Sequence, residues 1–592
     1  MSKSVLRMVF LLCAVALSAA QTCLGGSATW AESPVSGDWN TAANWLPQTV
    51  PNGPSDTAVF TASNITNVAT SAIVEVNSLV FDADATQFSV TTAVGTSLTI
   101  SGTGIINHSQ TVQSFSLEVT DETTSGYLFF NSATAGELTL FNNPGGELDF
   151  LDASNAGKAT FIITGVGARQ GHLTFFDSAT AAEATIAITG DATATFLDDT
   201  TATNALLTTS EGGRVLFSTN SSAGQATLQC AGGTEPGLGG GGVNFDSSST
   251  AAEGNVTLDG AAVAGAVSTD ATFSNSATGD TATFVVNGGA EAGAEGATMN
   301  FYEDSTADAA SITINGGSSG GGGGSLFFFV RSDGGSASIA LYSNGQMDIG
   351  NHARPGVTIG SLEGNGLVFL GPRTLTIGSN NVSTTFSGVI QDGGMNHGTG
   401  GSLTKIGTGA LTLSGANTYS GGTTLSAGAL VIDNTTSSGT GTGPVQANSG
   451  TLGGAGIIAG AVTLGTGSGT GAFLRPSLRA SMPVTLTIQS ALAFKADSTY
   501  ICKLNTKKVQ ADQVIGHGVT IESGAQFNLK RVSNRELPAG QVFTVLGNTG
   551  ATPIAGTFAN LPEGATFNQG RNKFQASYSG GDGNDLTLTV LP

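Results

Sequence analysis

Between residues 129 and 340 apolar positions recur with a fixed internal spacing. In "LTFFDSATAAEATIAITG", residues 173–190, Phe175 serves as an anchor, and equivalent anchors are Phe129, Phe150, Phe196, Phe217, Phe245, Phe273, Phe301 and Phe328. Eleven residues after each anchor stands an apolar residue: Leu140, Phe161, Ile186, Leu207, Leu228, Val256, Phe284, Ile312 and Ile339. Five after each stands a small or polar one, mostly Thr, as at Thr134, Thr180, Thr201 and Thr250. Successive anchors lie 21, 25, 21, 21, 28, 28, 28 and 27 residues apart. Such a period is that of a solenoid, in which each repeat contributes one coil and only its neighbours complete the core. The local pattern is short and alternating, as in "ATIAIT" and "ATFVVNG", with Gly and Thr where a helix would need better formers. The expectation is therefore an all-β chain folded as a parallel β-helix with capped ends. Equivalent positions would stack about 4.8 Å apart, giving an internal Phe ladder and a second apolar ladder. Length variation falls in "GLGGGG" (237–242) and "GGSSGGGGGS" (316–325), read as loops bulging from the wall.

An open solenoid end would expose apolar surface and unpaired strand edges. Trp30, Trp39 and Trp45 all lie within "WAESPVSGDWNTAANWLPQTVPNGPSDTAVF", residues 30–60. They predict a Trp-packed cap over 25–60, with stacking of exposed Trp on glycans as the alternative. Upstream, Lys3 and Arg7 precede an apolar run from Met8 to Leu17 and then Ser18-Ala19-Ala20, the layout of a secretory signal peptide over 1–20. That run is too short to span a membrane as a helix, and no later stretch reaches the required length. Coils are expected over 61–402, with the repeat array at 129–340.

In "LTKIGTGALTLSGANTYSGGTTLSAGALVI", residues 403–432, apolar and small residues alternate between "GAN" and "SGG" turns, enough for one coil and part of the next. Leu403, Lys405, Gly407, Gly409, Leu411, Leu413, Gly415, Asn417, Tyr419, Gly421, Thr423, Gly428 and Leu430 follow L-x-K-x-G-x-G-x-L-x-L-x-G-x-N-x-Y-x-G-x-T with a later G-x-L. The segment resembles the autotransporter-associated β-strand repeat, also called the passenger-associated transport repeat. The resemblance implies a right-handed β-helix exposed outside a Gram-negative-type bacterial cell, with a role in passenger secretion and folding rather than catalysis. Residues 433–592 read as a continuation of the helix with closing strands. A C-terminal membrane barrel of alternating strands, usual in autotransporters, is not visible there, so separate export machinery is expected.

Composition adjusts this picture in two ways. Gly accounts for 87 of 592 residues, about twice the usual share, while 39% of residues are apolar and only 10% charged, which suits short strands and frequent turns rather than a disordered chain. The formal net charge of −22, without a basic patch, argues against nucleic-acid partners. Cys23, Cys230 and Cys502 are too few and too scattered for a disulfide framework or a metal motif.

Candidate chemistry is sparse. His108, His172, His352, His397 and His517 show no metal-ligand spacing and read as loop or surface residues. Two residues after the anchors stand Asn131, Asp152, Asp177 and Asp198. Stacked carboxylates there would either splay into water or bind calcium. "GGDGNDLTL", residues 580–588 with Asp582 and Asp585, fits one copy of a calcium-binding nonapeptide and equally a hairpin turn. The reading favoured is a secreted or surface-exposed, non-catalytic adhesive solenoid contacting glycans or other cell surfaces, without a required cofactor. Its alternative is a polysaccharide lyase or hydrolase using the face of Asp152, Asp177 and Asp198, for which only Lys158 and Arg169 are near as basic partners.

Overall fold

The computed structural model describes residues 25–120, 125–165, 169–469 and 471–592; the signal peptide and Cys23 lie outside these. The chain forms two compact units, Met1–Leu206 and Leu207–Pro592. Each is built from parallel coils, so the expected parallel β-solenoid is the observed architecture.

In the first unit the first strand among the described residues is Ala28–Trp30, which pairs with Trp45–Leu46 and with Gly53–Phe60. Trp30, Trp39 and Trp45 are fully buried over Phe60. Trp45 meets Trp30 and Trp39 edge-on, with ring centroids 5.0 Å apart in both cases. Every indole N–H finds a carbonyl: Trp30 donates to Ile65, Trp39 to Pro51 and Trp45 to Trp39. A buried Trp needs that partner, because an unpaired N–H would offset part of the gain from its large apolar area. The three rings form the cap, and the alternative of exposed Trp for glycan stacking is ruled out by their burial.

Beyond the cap, strands of one wall stack in register. Glu147–Leu151 pairs with Tyr127–Asn131 on one side and His172–Phe175 on the other, followed by Thr193–Phe196. Phe130, Phe150, Phe175 and Phe196 lie over one another with centroids 4.6–4.8 Å apart and planes within 10°. The first anchor is thus Phe130, not Phe129. In "LFFN" two rings are adjacent, and strand alternation sends Phe130 inward and Phe129 outward. The error carries through: Phe141, not Leu140, stacks on Phe161 in the second wall. Between the two walls, Thr134, Asn155, Thr180 and Thr201 form single bridges from coil to coil.

The second unit repeats this plan. Phe217, Phe245, Phe273, Phe301 and Phe328 form its inner ladder, with centroids 4.6–5.1 Å apart. Ser222, Thr250, Thr278, Thr306 and Asp333 mark its corner bridges. From Gly356–Ile359 onward a third wall of true strands replaces that corner and runs through Thr374–Ile377, Ser402–Lys405 and Gly422–Leu425. Near the end the pairing turns antiparallel: Val542–Asn548, Asp585–Leu591, Asn572–Gly580 and Thr566–Gln569 form a meander that closes this unit.

The Gly-rich excursions do not bulge freely, as the sequence suggested. Spaced 27–28 residues apart like their anchors, they stack in register as an outer shelf. Gly237 donates its N–H to Gly265, Ala262 to Gly233, Ala290 to Ala261 and Ser318 to Gly289. A small core of Ala261, Ala266 and Ala294, with Val263 against it, fills the shelf. Backbones can approach this closely because most residues there are Gly or Ala, with no side chain or a single methyl group.

Candidate functional site

The carboxylate column was the leading sequence candidate. Asp152, Asp177 and Asp198 turn the corner after the first wall in left-handed conformation, with φ of 55°, 56° and 56°. Ser132, at φ 52°, is the corner of the preceding coil; Asn131 pairs with Leu151, one position earlier. In the second unit the same corner holds Thr219, Ser247, Asn275, Glu303 and Val330, all at φ 57–62°. Asp and Asn tolerate that conformation better than most residues, which accounts for the carboxylates by backbone geometry. Their charge also meets donors. The Asp152 N–H donates to Asp177 Oδ2 at 3.3 Å, and the Asp177 N–H to Asp198 Oδ2 at 3.4 Å. Lys158 pairs instead with Glu137 and Glu183, and Arg169 turns to Ser125. Among the described residues no three His, Cys, Asp or Glu side chains converge as metal ligands.

At the other candidate, Asp582 and Asp585 belong to the turn between Asn572–Gly580 and Asp585–Leu591, with Gly580 paired to Asp585. Asp585 Oδ1 accepts from the Asn548 N–H at 2.8 Å. This is the hairpin reading. Of the histidines, His108, His397 and His517 are exposed and His172 is half-buried. His352 departs from expectation: it is buried, with Nδ1 against the Ala353 carbonyl and Nε2 against that of Ser332. Cys230 and Cys502 are buried free thiols; burial pushes that of Cys230 up to about 12, so it is not nucleophilic at neutral pH.

The segment 403–432 is where the motif residues come together. Strands Ser402–Lys405 and Ala410–Leu413 and the turn at Asn417 make three sides of one coil. Gly422–Leu425 and Ala429–Ile432 begin the next, one coil and part of a second as expected. Leu403, Leu411, Leu413 and Leu430 fill the core. Asn417 links three coils: its Oδ1 accepts from the Ile390 N–H at 2.7 Å, and its Nδ2 donates to the Gly439 carbonyl at 2.7 Å. Tyr419 is fully buried and its hydroxyl lies 2.6 Å from that of Thr423. Burial raises the Tyr419 phenol well beyond its ordinary range, so it stays neutral. Gly407 and Gly428 occupy one corner in successive coils at φ 67° and 71°, which favours Gly. At Gly409, Gly415 and Gly421 a Cβ would collide with the carbonyl oxygens of Val382, Gly388 and Gly400 in the neighbouring coil.

Lys405 is the surprise of the motif. It is 1% exposed and points inward between Ile377 and Leu425. Its Nζ donates to the Ile406 and Gly407 carbonyls. Desolvation pushes its ammonium down to about 8. The residue thus cross-braces its own corner, on the same inward face of the strand as Leu403. Every motif position answers a packing or hydrogen-bonding demand of the coil.

Residues 403–432 match the passenger-associated-transport-repeat family. The chain carries a passenger-associated transport repeat. The repeat's neighbours in the fold are coils of the same kind, although the family match covers those residues alone. A stretch of 109 residues is 38% identical to the adhesin BmaC autotransporter of Brucella suis biovar 1 (strain 1330), covering 17% of this chain and 3% of that protein. The chain therefore spans a small part of that curated relative. A crystal structure of the Haemophilus influenzae Hap adhesin aligns over 90% of this chain and 64% of its own, at 10% identity and a TM-score of 0.30.

Proposed function

We propose that this chain is a secreted or surface-exposed adhesive solenoid, with structural coils and contact surfaces on their outer walls. The observation that carries the reading is an aromatic shelf on the second unit. Tyr302 stacks on Phe329 at 4.7 Å with planes 6° apart, and Phe327 continues the layer at 5.8 Å and 22°. Tyr302 is 36% exposed, and Arg331 pairs with Asp304 beside it. Flat rings left partly in water match the apolar face of a sugar or another aromatic surface. The adhesin to which this chain is 38% identical over 109 residues supports the same reading. The experiment is adherence of beads coated with the purified chain to bacterial and epithelial cells. Adherence should exceed that of an inert acidic protein and fall in Tyr302→Ser/Phe329→Ser. Binding no better than the inert protein overturns the reading. Catalysis is not part of it, so incubation with neutral and polyuronic glycans should release no new reducing or unsaturated ends.

A further inference from the structure

A second surface, on the first unit, has the features of a small-molecule site. Outward positions of three stacked strands place Tyr127 and Phe129, Glu147 and Asp149, and His172 and Thr174 in rows across the wall. Beside them opens a cleft of about 320 Å³, lined by Ser125, Gly145, Glu147, Arg169 and His172 among others. Arg169 packs its stem over Gly145 and donates from Nη2 to Ser125 Oγ at 3.2 Å, while its Nη1 is buried without a hydrogen-bond partner. Asp149, two residues along the same face from Glu147, has a buried Oδ1 that is likewise unpaired. His172 is held by Nδ1 against Thr193 Oγ1 at 2.8 Å. Tyr127 is opposite Glu147 in register, its ring parallel to that of Phe129 within 5°.

An unpaired buried donor is costly, and Arg169 Nη1 in the wall of the cleft points to a ligand that accepts from it, with the Glu147 carboxylate lining the same cleft. The ligand must accept from a guanidinium and donate to a carboxylate. Adjacent hydroxyls on a sugar ring do both. The cleft lies at the small end of ligand-site volumes, which suits a ring-sized guest. Glu147 at its edge would repel an anionic sugar.

We propose that this cleft binds a neutral pyranose unit of a glycan, with Arg169 donating to one hydroxyl, Glu147 accepting from its neighbour and Tyr127 packing on the ring. Asp149 supports the arrangement from behind. Desolvation, reinforced by the charge of Glu147, raises its carboxyl to about 8. It therefore stays protonated at neutral pH and spares the site a second negative charge.

The test is saturation-transfer NMR and calorimetry on the full chain with neutral di- and trisaccharides, and with uronic- and sialic-acid oligosaccharides of equal length. Neutral saccharides should bind, and Glu147→Gln and Tyr127→Ser should each weaken binding at least tenfold with an unchanged melting temperature. Arg169→Met should do the same; if it melts early, the other two variants decide. No transfer from any neutral saccharide, binding of the acidic set alone, or variants that bind as tightly as the parent would overturn the proposal. Soluble-sugar binding is measured apart from cell adherence. Adherence that survives loss of the cleft therefore leaves the adhesive reading standing, and sugar binding without adherence leaves the cleft standing.

Discussion

Asn417→Ala removes a side chain that holds one coil to the two beside it. The Ile390 N–H loses its acceptor and the Gly439 carbonyl its donor, both in buried surroundings. Each orphaned group costs about 1–3 kcal/mol, and partial relaxation of the small cavity lowers the sum to about 3 kcal/mol. Solenoids lose cooperativity along their length, so a global melting curve would dilute a local effect. Amide exchange reads it directly. About 3 kcal/mol corresponds to roughly a hundredfold faster exchange at Ile390, with peptides around Gly439 affected and those around Phe273 unchanged. Asn417→Asp keeps the acceptor for Ile390 and loses the donor to Gly439, so it should accelerate exchange near Gly439 more than at Ile390. Unchanged protection at Ile390 in the alanine variant would refute the claim that this side chain couples the coils.

Gly415→Ala places a methyl group against the Gly388 carbonyl and should lower stability by about 2 kcal/mol or more in chemical denaturation, since backbone must move. Lys405 gives a pH test: the folded ammonium loses its proton near 8 and the unfolded one near 10.5. The unfolded chain thus holds more protons between these values, and the penalty of the buried charge is relieved as pH rises. Stability should increase by at most about 3 kcal/mol across this window, a rise that disappears in Lys405→Met; denaturant midpoints at pH 7 and pH 10 check it. Asp177→Asn keeps a side-chain acceptor and a residue suited to its corner, so we expect its melting temperature to move by no more than about 2 °C. We expect chelator to leave the parent's melting curve unchanged, and a calcium-dependent shift abolished in the variant would contradict both statements.

The inner ladders were legible because stacking repeats one demand at one position, so Phe150, Phe175 and Phe196 could be aligned from spacing alone. The first coil failed for a local reason: two adjacent Phe residues satisfy the pattern equally, and the coil is one residue shorter than its first anchor implied. The motif of 403–432 was legible as a pattern, but the burial of Lys405 was not drawn from it: alternation puts Lys405 on the face of Leu403, against the usual preference of Lys for water. The corner aspartates were seen and their cause was not, since left-handed backbone leaves no mark on a residue that also suits a metal site. The cleft at Arg169 and Glu147 was missed altogether. Its residues come from three coils of unequal length, and only the observed register brings their outward positions together. The burial of His352 likewise involves a carbonyl twenty residues away in sequence, that of Ser332.

The equal spacing of the coils around Phe245 and Phe273 has a genetic consequence. Ser247 and Asn275 stand at the same corner with nearly the same φ. Excision of residues 247–274 would join Asp246 directly to Asn275, remove one storey, and bring Phe245 against Phe301 and Leu228 against Phe284, pairings of the same kind as those they replace. A gene for such a chain can therefore grow or shrink through unequal crossing-over in whole-storey steps, with each product keeping its inner ladders in register.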